Sequence, residues 1–396
     1  MKVIIRNSLV ICAVLSALVI ARLSVANSLP KQLNNQCPPS FEKVESGVCL
    51  LRSLYDFYDS PKQHGGFRVN LPTLEKAYTA EQIDLGRYLF FDPLLSKEQD
   101  LSCASCHQLD KSLSDGRKRS ISAADEQGER GELTRGTPTL WNIAFHSQFM
   151  WDGRAHSLEE QASLPLFSDV EMANTPENLV ETISQNVLYI DWFNQAFNEK
   201  PTVENISKAL AAFQTTLISL NSRYDRYVHG DTKALNEQEI RGYNAFRGFV
   251  ARCSQCHVPP LFTDGELAVI GSPQAKGLAP DEGAMAWTKK PEQLSAFRVP
   301  TLRNIQESAP YFHAGQFDDL SQVVEFYNNT RGHMAPKGQK LSIHWHVHMT
   351  KGSKLSRQDE QDIVAFLSSL TDETMLPIQP LSVPSGIDIN TKKVIK

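Results

Sequence analysis

The sequence predicts a mainly α-helical chain built as two related domains, with few short strands. Three observations predict it. Apolar residues recur at helical spacing behind recognisable helix starts. One short cysteine motif occurs twice. A longer segment behind each copy of that motif repeats in register. The 396 residues suffice for two ordinary domains. With 41% hydrophobic and 21% charged residues, the composition is that of a folded rather than a disordered chain. The net charge of −5 comes from interspersed signs without a basic block, so nucleic-acid binding has no electrostatic support. A mildly acidic surface suits a basic redox partner.

Taken in order, the chain opens with Lys2 and Arg6, followed by an apolar stretch from Leu9 to Ile20 that is short for a membrane span. Ser24-Val25-Ala26 then offers small residues for signal-peptidase cleavage. Residues 1–26 therefore read as a cleaved signal peptide, placing the mature chain in the periplasm with no membrane attachment. The alternative is an uncleaved anchor, since Arg22 follows the short apolar core. Cys12 follows Ile11 rather than a small residue, which argues against a lipoprotein site. Residues 27–64 form an N-terminal extension. Its Cys37 and Cys49 flank Pro38-Pro39 and a short loop, and in an exported chain they read as a disulfide.

Four further cysteines fall into Cys103-Ala-Ser-Cys106-His107 and Cys253-Ser-Gln-Cys256-His257. Two thiols one helical turn apart can add across the two vinyl groups of one haem. The adjacent histidine then offers its imidazole to the iron. Two other uses compete: a zinc site made from both pairs, and a pair of redox dithiols. A zinc knuckle does not require a histidine after each pair, and export to an oxidising compartment suits covalent haem. The motifs thus predict two haem c groups, in two cytochrome c-like domains spanning 65–232 and 233–375. Residues 376–396 are a tail.

Local signals fill in the helices. Thr175-Pro176-Glu177-Asn178 starts one with an N-cap and a proline at its first position. Val203 to Ser219 has apolar residues at helical spacing, and Ser356-x-x-Asp359 is a capping box before Ile363, Phe366, Leu367 and Leu370. The glycine- and proline-containing stretch 271–283 reads as a loop. The repeat pairs Pro138-Thr139-Leu140-Trp141-Asn142-Ile143 with Pro300-Thr301-Leu302-Arg303-Asn304-Ile305. Without a gap, Phe149-Met150-Trp151-Asp152-Gly153 then lies over Tyr311-Phe312-His313-Ala314-Gly315, and Leu158 over Leu320. Carried a few residues further, the register sets Tyr327 opposite Pro165. A proline cannot ligate iron. If Tyr327 caps the second haem, the first is open at the same place and free to meet a small oxidant.

These residues resemble the di-haem cytochrome c peroxidase and MauG family, over most of the mature chain from Leu85-Gly86-Arg87-Tyr88-Leu89-Phe90-Phe91-Asp92-Pro93 to Ala365-Phe366-Leu367. The resemblance is carried by Phe149-Met150-Trp151-Asp152-Gly153-Arg154, Leu158-Glu159-Glu160-Gln161-Ala162, Glu171-Met172, Phe297-Arg298-Val299-Pro300-Thr301-Leu302-Arg303-Asn304 and Pro310-Tyr311-Phe312-His313-Ala314-Gly315. It implies a hydrogen peroxide-dependent oxidoreductase with two covalently bound haems. His107 would be the proximal ligand of the peroxide-reacting haem, with Glu171 as distal acid–base group and Gln161 lining the same pocket. Without the resemblance, Glu171 would read as a surface glutamate. Trp151 would relay electrons between the haems, where an unaided reading makes it a core tryptophan. His257 would hold the second haem, and His313 would sit near both pockets. The resemblance also implies a calcium ion between the domains, partly on the backbone carbonyls of Ser308 and Pro310. Its usual asparagine ligand corresponds here to Gly136, a departure that puts the calcium in question.

The second axial ligand of the second haem separates subtypes. Classical members have methionine at the position of Tyr327, and MauG-like members have tyrosine. A thioether raises the potential and favours ferrous iron, whereas a phenolate favours ferric and higher states. Met334 and Met349 are rival ligands nearby. Classical members also place a histidine over the resting first haem, sixteen residues after its proximal ligand, where this chain has Ala123. The leading expectation is therefore a MauG-like enzyme, oxidising a protein side chain or a small reductant. The alternative is a classical peroxidase fed by a small cytochrome c or cupredoxin. A third is a non-enzymatic di-haem electron carrier, for which Glu171 and Gln161 have no use. His344, His346 and His348 alternate and could face one metal in an extended segment, though an exposed polar loop explains them as well.

Overall fold

The computed structural model describes residues 29–52, 74, 76–125, 127–329, 338–342, 354–374 and 379–389. The signal-peptide reading of 1–26, the rival ligands Met334 and Met349, and His344, His346 and His348 fall outside them. Helices dominate the described residues: α1 (Ala80–Phe91), α2 (Cys103–Cys106), α3 (Leu158–Leu166), α4 (Pro176–Ser184), α5 (Val187–Phe197), α6 (Val203–Gln214), α7 (Arg223–Val228), α8 (Glu237–Arg247), α9 (Met285–Thr288), α10 (Leu320–Asn329) and α11 (Arg357–Ser368). Strands are short. β1 (Phe41–Lys43), β2 (Val48–Leu51) and β3 (Tyr78–Thr79) form an antiparallel sheet; β4 (Ile121–Ala124) pairs with β5 (Arg130–Glu132), and β6 (Leu267–Ala268) with β7 (Phe297–Arg298).

Local signals set the helix starts. The Thr175 hydroxyl accepts from Asn178 N–H with Pro176 at the first position of α4, and Ser356 and Asp359 form a reciprocal capping box on α11. Helix α6 ends five residues short of the expected Ser219. There the hydroxyls of Thr215 and Thr216 donate back to the carbonyls of Ala212 and Phe213, and this local bonding competes with further helix.

Two cores share one plan. In the first, α1 crosses α6 so closely that a Cβ on Gly86 would lie 1.8 Å from the Ala209 carbonyl oxygen. In the second, α8 crosses α11, and a Cβ on Gly242 would lie 1.8 Å from the Asp362 carbonyl oxygen. One turn on from each glycine a phenylalanine meets another across the crossing: Phe90 with Phe213, centroids 5.1 Å apart, and Phe246 with Phe366 at 5.2 Å. The repeat seen in sequence recurs as geometry. Asn142 and Asn304 both adopt left-handed backbone, as do Met150 and Phe312, and α3 and α10 begin at the matched Leu158 and Leu320.

Three segments attach in ways that sequence pattern did not indicate. Helix α7, assigned to the first unit, packs in the second core. Tyr224 sits among Tyr243, Phe262 and Phe366, and Asp225 pairs with the fully buried Arg303. The extension carries the Cys37–Cys49 disulfide (Cα–Cα 5.6 Å) and buries Leu33, Phe41 and Cys49 in the first core. Residues 379–389 return to that same core, where Val383 is fully buried and Ser385 Oγ donates to Asp92 at 2.6 Å.

Candidate active site

Each cysteine motif is folded to present one ring nitrogen. Cys103 and Cys106 bracket the single turn of α2, and the His107 amide donates to the Cys103 carbonyl at 2.8 Å. His107 Nδ1 lies 2.8 Å from the Leu113 carbonyl oxygen. In the second motif the His257 amide donates to Cys253 O at 2.9 Å, and Nδ1 lies 3.0 Å from the Phe262 carbonyl oxygen. A proton on Nδ1 satisfies that carbonyl and leaves Nε2 as the unprotonated ligand nitrogen. Leu113 and Phe262 both adopt positive φ, which turns their carbonyls toward the imidazoles. Burial lowers the pKa of both histidines, keeping the rings neutral.

A cavity opens beside each motif. The first, about 1160 Å³, is lined by Cys103, Cys106, His107, Phe90, Phe149, Gln161, Pro165, Glu171 and Met172. The second is a narrower slot of about 210 Å³, lined by Cys253, Cys256, His257, Phe312, Val324, Tyr327 and Leu367. Trp151, His313, Phe297 and Arg298 line both. Trp151 is fixed by its Nε1–H, which donates to the Gly136 carbonyl at 2.7 Å. His313 stacks on Phe297 with centroids 3.9 Å apart, and burial lowers its pKa to about 4.

The structure brings Glu171 and Gln161 to the first cavity. Glu171 lies in a turn held by its N–H bond to Ser168 O, and β4 braces that turn because the Ala123 amide donates to Val170 O at 2.9 Å. Burial pushes the Glu171 carboxyl above its ordinary pKa, against the lowering effects of Ser168 and Arg154. Gln161 Nε2 reaches toward Met150 Sδ, while its buried Oε1 has no hydrogen-bond partner among the described residues. A polar atom orphaned against a cavity suits a small polar ligand. Pro165 lines the first cavity and Tyr327 the second. Burial holds the Tyr327 phenol well above its ordinary pKa, with Cys253 and Cys256 adding to the effect, so a phenolate there needs a cation opposite.

Sequence reasoning missed several residues. Arg298 is buried, bonded to His146 Nδ1 at 3.1 Å and toward the Met150 carbonyl, with no carboxylate in reach among the described residues. A guanidinium so placed, at the wall of two cavities, calls for an anionic ligand group. Loop 271–282 covers the first cavity and is clamped by a bidentate pair, Arg135 to Asp281 at 2.7 and 2.8 Å, with Arg135 also binding Asp152. The loop was legible in sequence, but its target was not.

The description "Di-haem cytochrome c peroxidase" fits the family model that matches residues 80–233. The chain is 36% identical over 316 residues to the methylamine utilization protein MauG of Methylophilus methylotrophus, covering 78% of this chain and 88% of that one. The chain belongs to the di-haem cytochrome c peroxidase and MauG family. Within this family it is also 34% identical to the cytochrome c551 peroxidase of Nitrosomonas europaea, over 78% of this chain and 86% of the relative. A solved MauG-like protein associated with microbial copper homeostasis aligns with a TM-score of 0.66 at 31% identity, covering 80% of this chain and 95% of that one.

Membership implies covalent haem c, and the residues fit it. Each pair of thiols and its histidine face a largely apolar cavity, and Arg298 offers a counter-charge for propionates. The competing uses fit less well. The two cysteine pairs belong to separate cores, which leaves no shared zinc site. Burial pushes the Cys103 and Cys106 thiols up to about 12, opposite to what a redox dithiol needs. The calcium position fits poorly. Gly136 has no side-chain oxygen, and its carbonyl accepts from Trp151. A Cβ there would lie 2.9 Å from the Lys118 carbonyl. Ser308 and Pro310 line the second cavity nearby. No helix among the described residues is long and apolar enough to cross a membrane.

Proposed function

We propose that this hydrogen peroxide-dependent di-haem oxidoreductase is of the MauG-like kind. The reading is carried by the unequal equipment of its two cavities. The first is lined by Pro165, at the position matched to Tyr327, together with Glu171 and a Gln161 oxygen that has no hydrogen-bond partner among the described residues. The second has Tyr327. Cys103, Cys106 and His107 would hold a haem c in the first cavity, and that group would supply the redox chemistry that cleaves the peroxide O–O bond. Glu171 takes the proton from the peroxide oxygen that binds and returns it to the oxygen that leaves. Gln161 orients the peroxide by accepting its remaining O–H. Leu113 and Phe262 hold the two histidines in the tautomer that ligates.

Trp151 carries electrons between the two cavities. Tyr327 and His257 line the second cavity and would hold a haem there; a phenolate ligand would favour oxidised iron, so that site would be suited to storing an oxidising equivalent rather than to feeding in an electron. The partners are hydrogen peroxide and a reductant, either a protein side chain or a small redox protein such as a cytochrome c or cupredoxin. Residues 1–26 act as a cleaved export signal, and the enzyme works in the periplasm as two haem units joined near residue 221. A classical peroxidase is the second reading, favoured by the comparable identity to the Nitrosomonas peroxidase.

A peroxide titration of the fully ferric holoprotein, followed by absorption and EPR, separates the two. One high-spin and one low-spin haem at rest, with prompt conversion on adding peroxide, is the expected result. A ferric form that reacts only after one haem is reduced would make it a classical peroxidase and would remove the assignment of Tyr327.

A further inference from the structure

Trp287, in α9, stands outside every motif discussed above. The residue is 38% exposed, whereas Trp141 and Trp192 are buried and Trp151 is intermediate. Its indole N–H is not left to water: Nε1 donates to the Asp152 carbonyl oxygen at 2.9 Å. Asp152 follows Trp151 directly in the chain, and Trp151 lines both cavities. The Trp151–Asp152 peptide, the Asp152 carbonyl and one hydrogen bond therefore connect the indole between the cavities to an indole at the surface. The link is also stiff. The Asp152 carboxylate is buried and bonded to Arg135 at 2.8 Å and to Arg154 at 2.9 Å, and the His156 ring meets the Trp287 ring edge-on with centroids 5.7 Å apart. A surface tryptophan that served only to pack would not need this path.

We infer that Trp287 is the surface redox terminus of the enzyme, the residue at which an external reductant too large for the cavities delivers its electrons. This rests on the peroxide-dependent reading of the site. Peroxide removes two electrons from the protein and, with two protons, leaves as two waters. Each missing electron is replaced through Trp151 and the Asp152 peptide from the Trp287 indole. The indole keeps its N–H proton on the Asp152 carbonyl while oxidised, so only an electron moves. The reductant then returns one electron to Trp287, and two such events complete a turnover. The occupant of this surface is a reduced one-electron redox protein.

The test uses ferric holoprotein in the parent, Trp287→Phe and Trp287→Tyr forms. Phenylalanine keeps an aromatic ring but loses the redox activity and the bond to Asp152; tyrosine restores a redox-active ring. Peroxide is added without reductant, the absorption change is recorded, and oxygen uptake by each tryptophan is mapped by peptide mass spectrometry. Decay of the oxidised spectrum is then timed with reduced cytochrome c as donor. The inference expects oxygen addition at Trp287 in the parent. It also expects decay about tenfold slower or more in Trp287→Phe, with partial recovery in Trp287→Tyr. The spectral change on peroxide addition should be the same in all three. A Trp287 that stays unmodified, with decay in Trp287→Phe as fast as in the parent, would overturn it. Absence of any spectral change, in the parent included, would overturn the peroxide reading and the relay with it.

Discussion

At the scale of single residues, the chemistry rests on groups kept in unusual states by burial. Glu171 is the clearest. Desolvation holds its carboxyl above the ordinary value, so it is protonated at a pH where an exposed glutamate is ionised. It must be ionised to accept the peroxide proton. The rate of the ferric holoprotein with peroxide should therefore rise with pH through that elevated pKa and level off above it. Glu171→Gln cannot exchange a proton. It should react about 10²–10⁴-fold more slowly and lose the pH inflection, with both haem spectra unchanged. Stopped-flow absorption across pH decides this, and an unaltered rate removes Glu171 from its role. The proposed haem-attachment residues could be read from sequence because attachment chemistry would fix their order within five consecutive positions. Arg298 with His146, and Arg135 with Asp281, were not, because each pair joins residues about 150 apart in the chain. No local pattern announces such a meeting.

At the scale of elements, one helix of each close crossing also packs against a cysteine motif, α1 against Cys103–Cys106 and α8 against Cys253–Gln255. α1 can approach α6, and α8 can approach α11, because a glycine sits at each crossing. A methyl group at Gly242 would meet backbone rather than a movable side-chain end, so the helices would have to part. Gly242→Ala should cost about 1–3 kcal/mol or more and lower the melting temperature of the holoprotein. Gly86→Ala should do the same from the first crossing. Calorimetry reads both, and an unchanged melting temperature would mean the crossings are looser than their geometry. Helix starts were readable in the sequence since caps are local, as with Thr175 and Ser356. The crossings carried a signal that was passed over. Gly86 precedes Phe90, and Gly242 precedes Phe246, by the same four positions, and the alignment of the repeat could have been extended to them.

At the scale of the whole molecule, the repeat pointed to two related units, and the structure has two cores, while the way the chain's outer segments are shared between them stayed hidden. Helix α7 joins the second core through Tyr224 and the Asp225–Arg303 pair, contacts that no periodicity encodes. The C-terminal segment reverses that exchange. After α11 completes the second core, residues 379–389 return to the first. Val383 is fully buried there, and Asn186 donates to the Pro384 carbonyl at 2.8 Å. Ser385 donates to Asp92, the same carboxylate that accepts from the Tyr189 hydroxyl at 2.7 Å and caps the turn after α1. This segment thus supports the helix that packs beside the first cysteine motif. Ending the chain at residue 378 would remove a buried valine, Val383, whose burial is worth about 1.5–3 kcal/mol, and take from Asp92 a bond worth about 0.5–1.5 kcal/mol. The loss falls on the first core alone, since the second has no contact with residues 379–389 among its buried members. Calorimetry of the shortened holoprotein should show the unit that holds His107 melting earlier than the full-length form, with the His257 unit close to its original temperature. Haem absorption followed on heating should show the high-spin site failing first. A uniform shift of both units would instead mean that they melt as one body, and the returning segment would then stabilise the whole molecule rather than the half that meets peroxide.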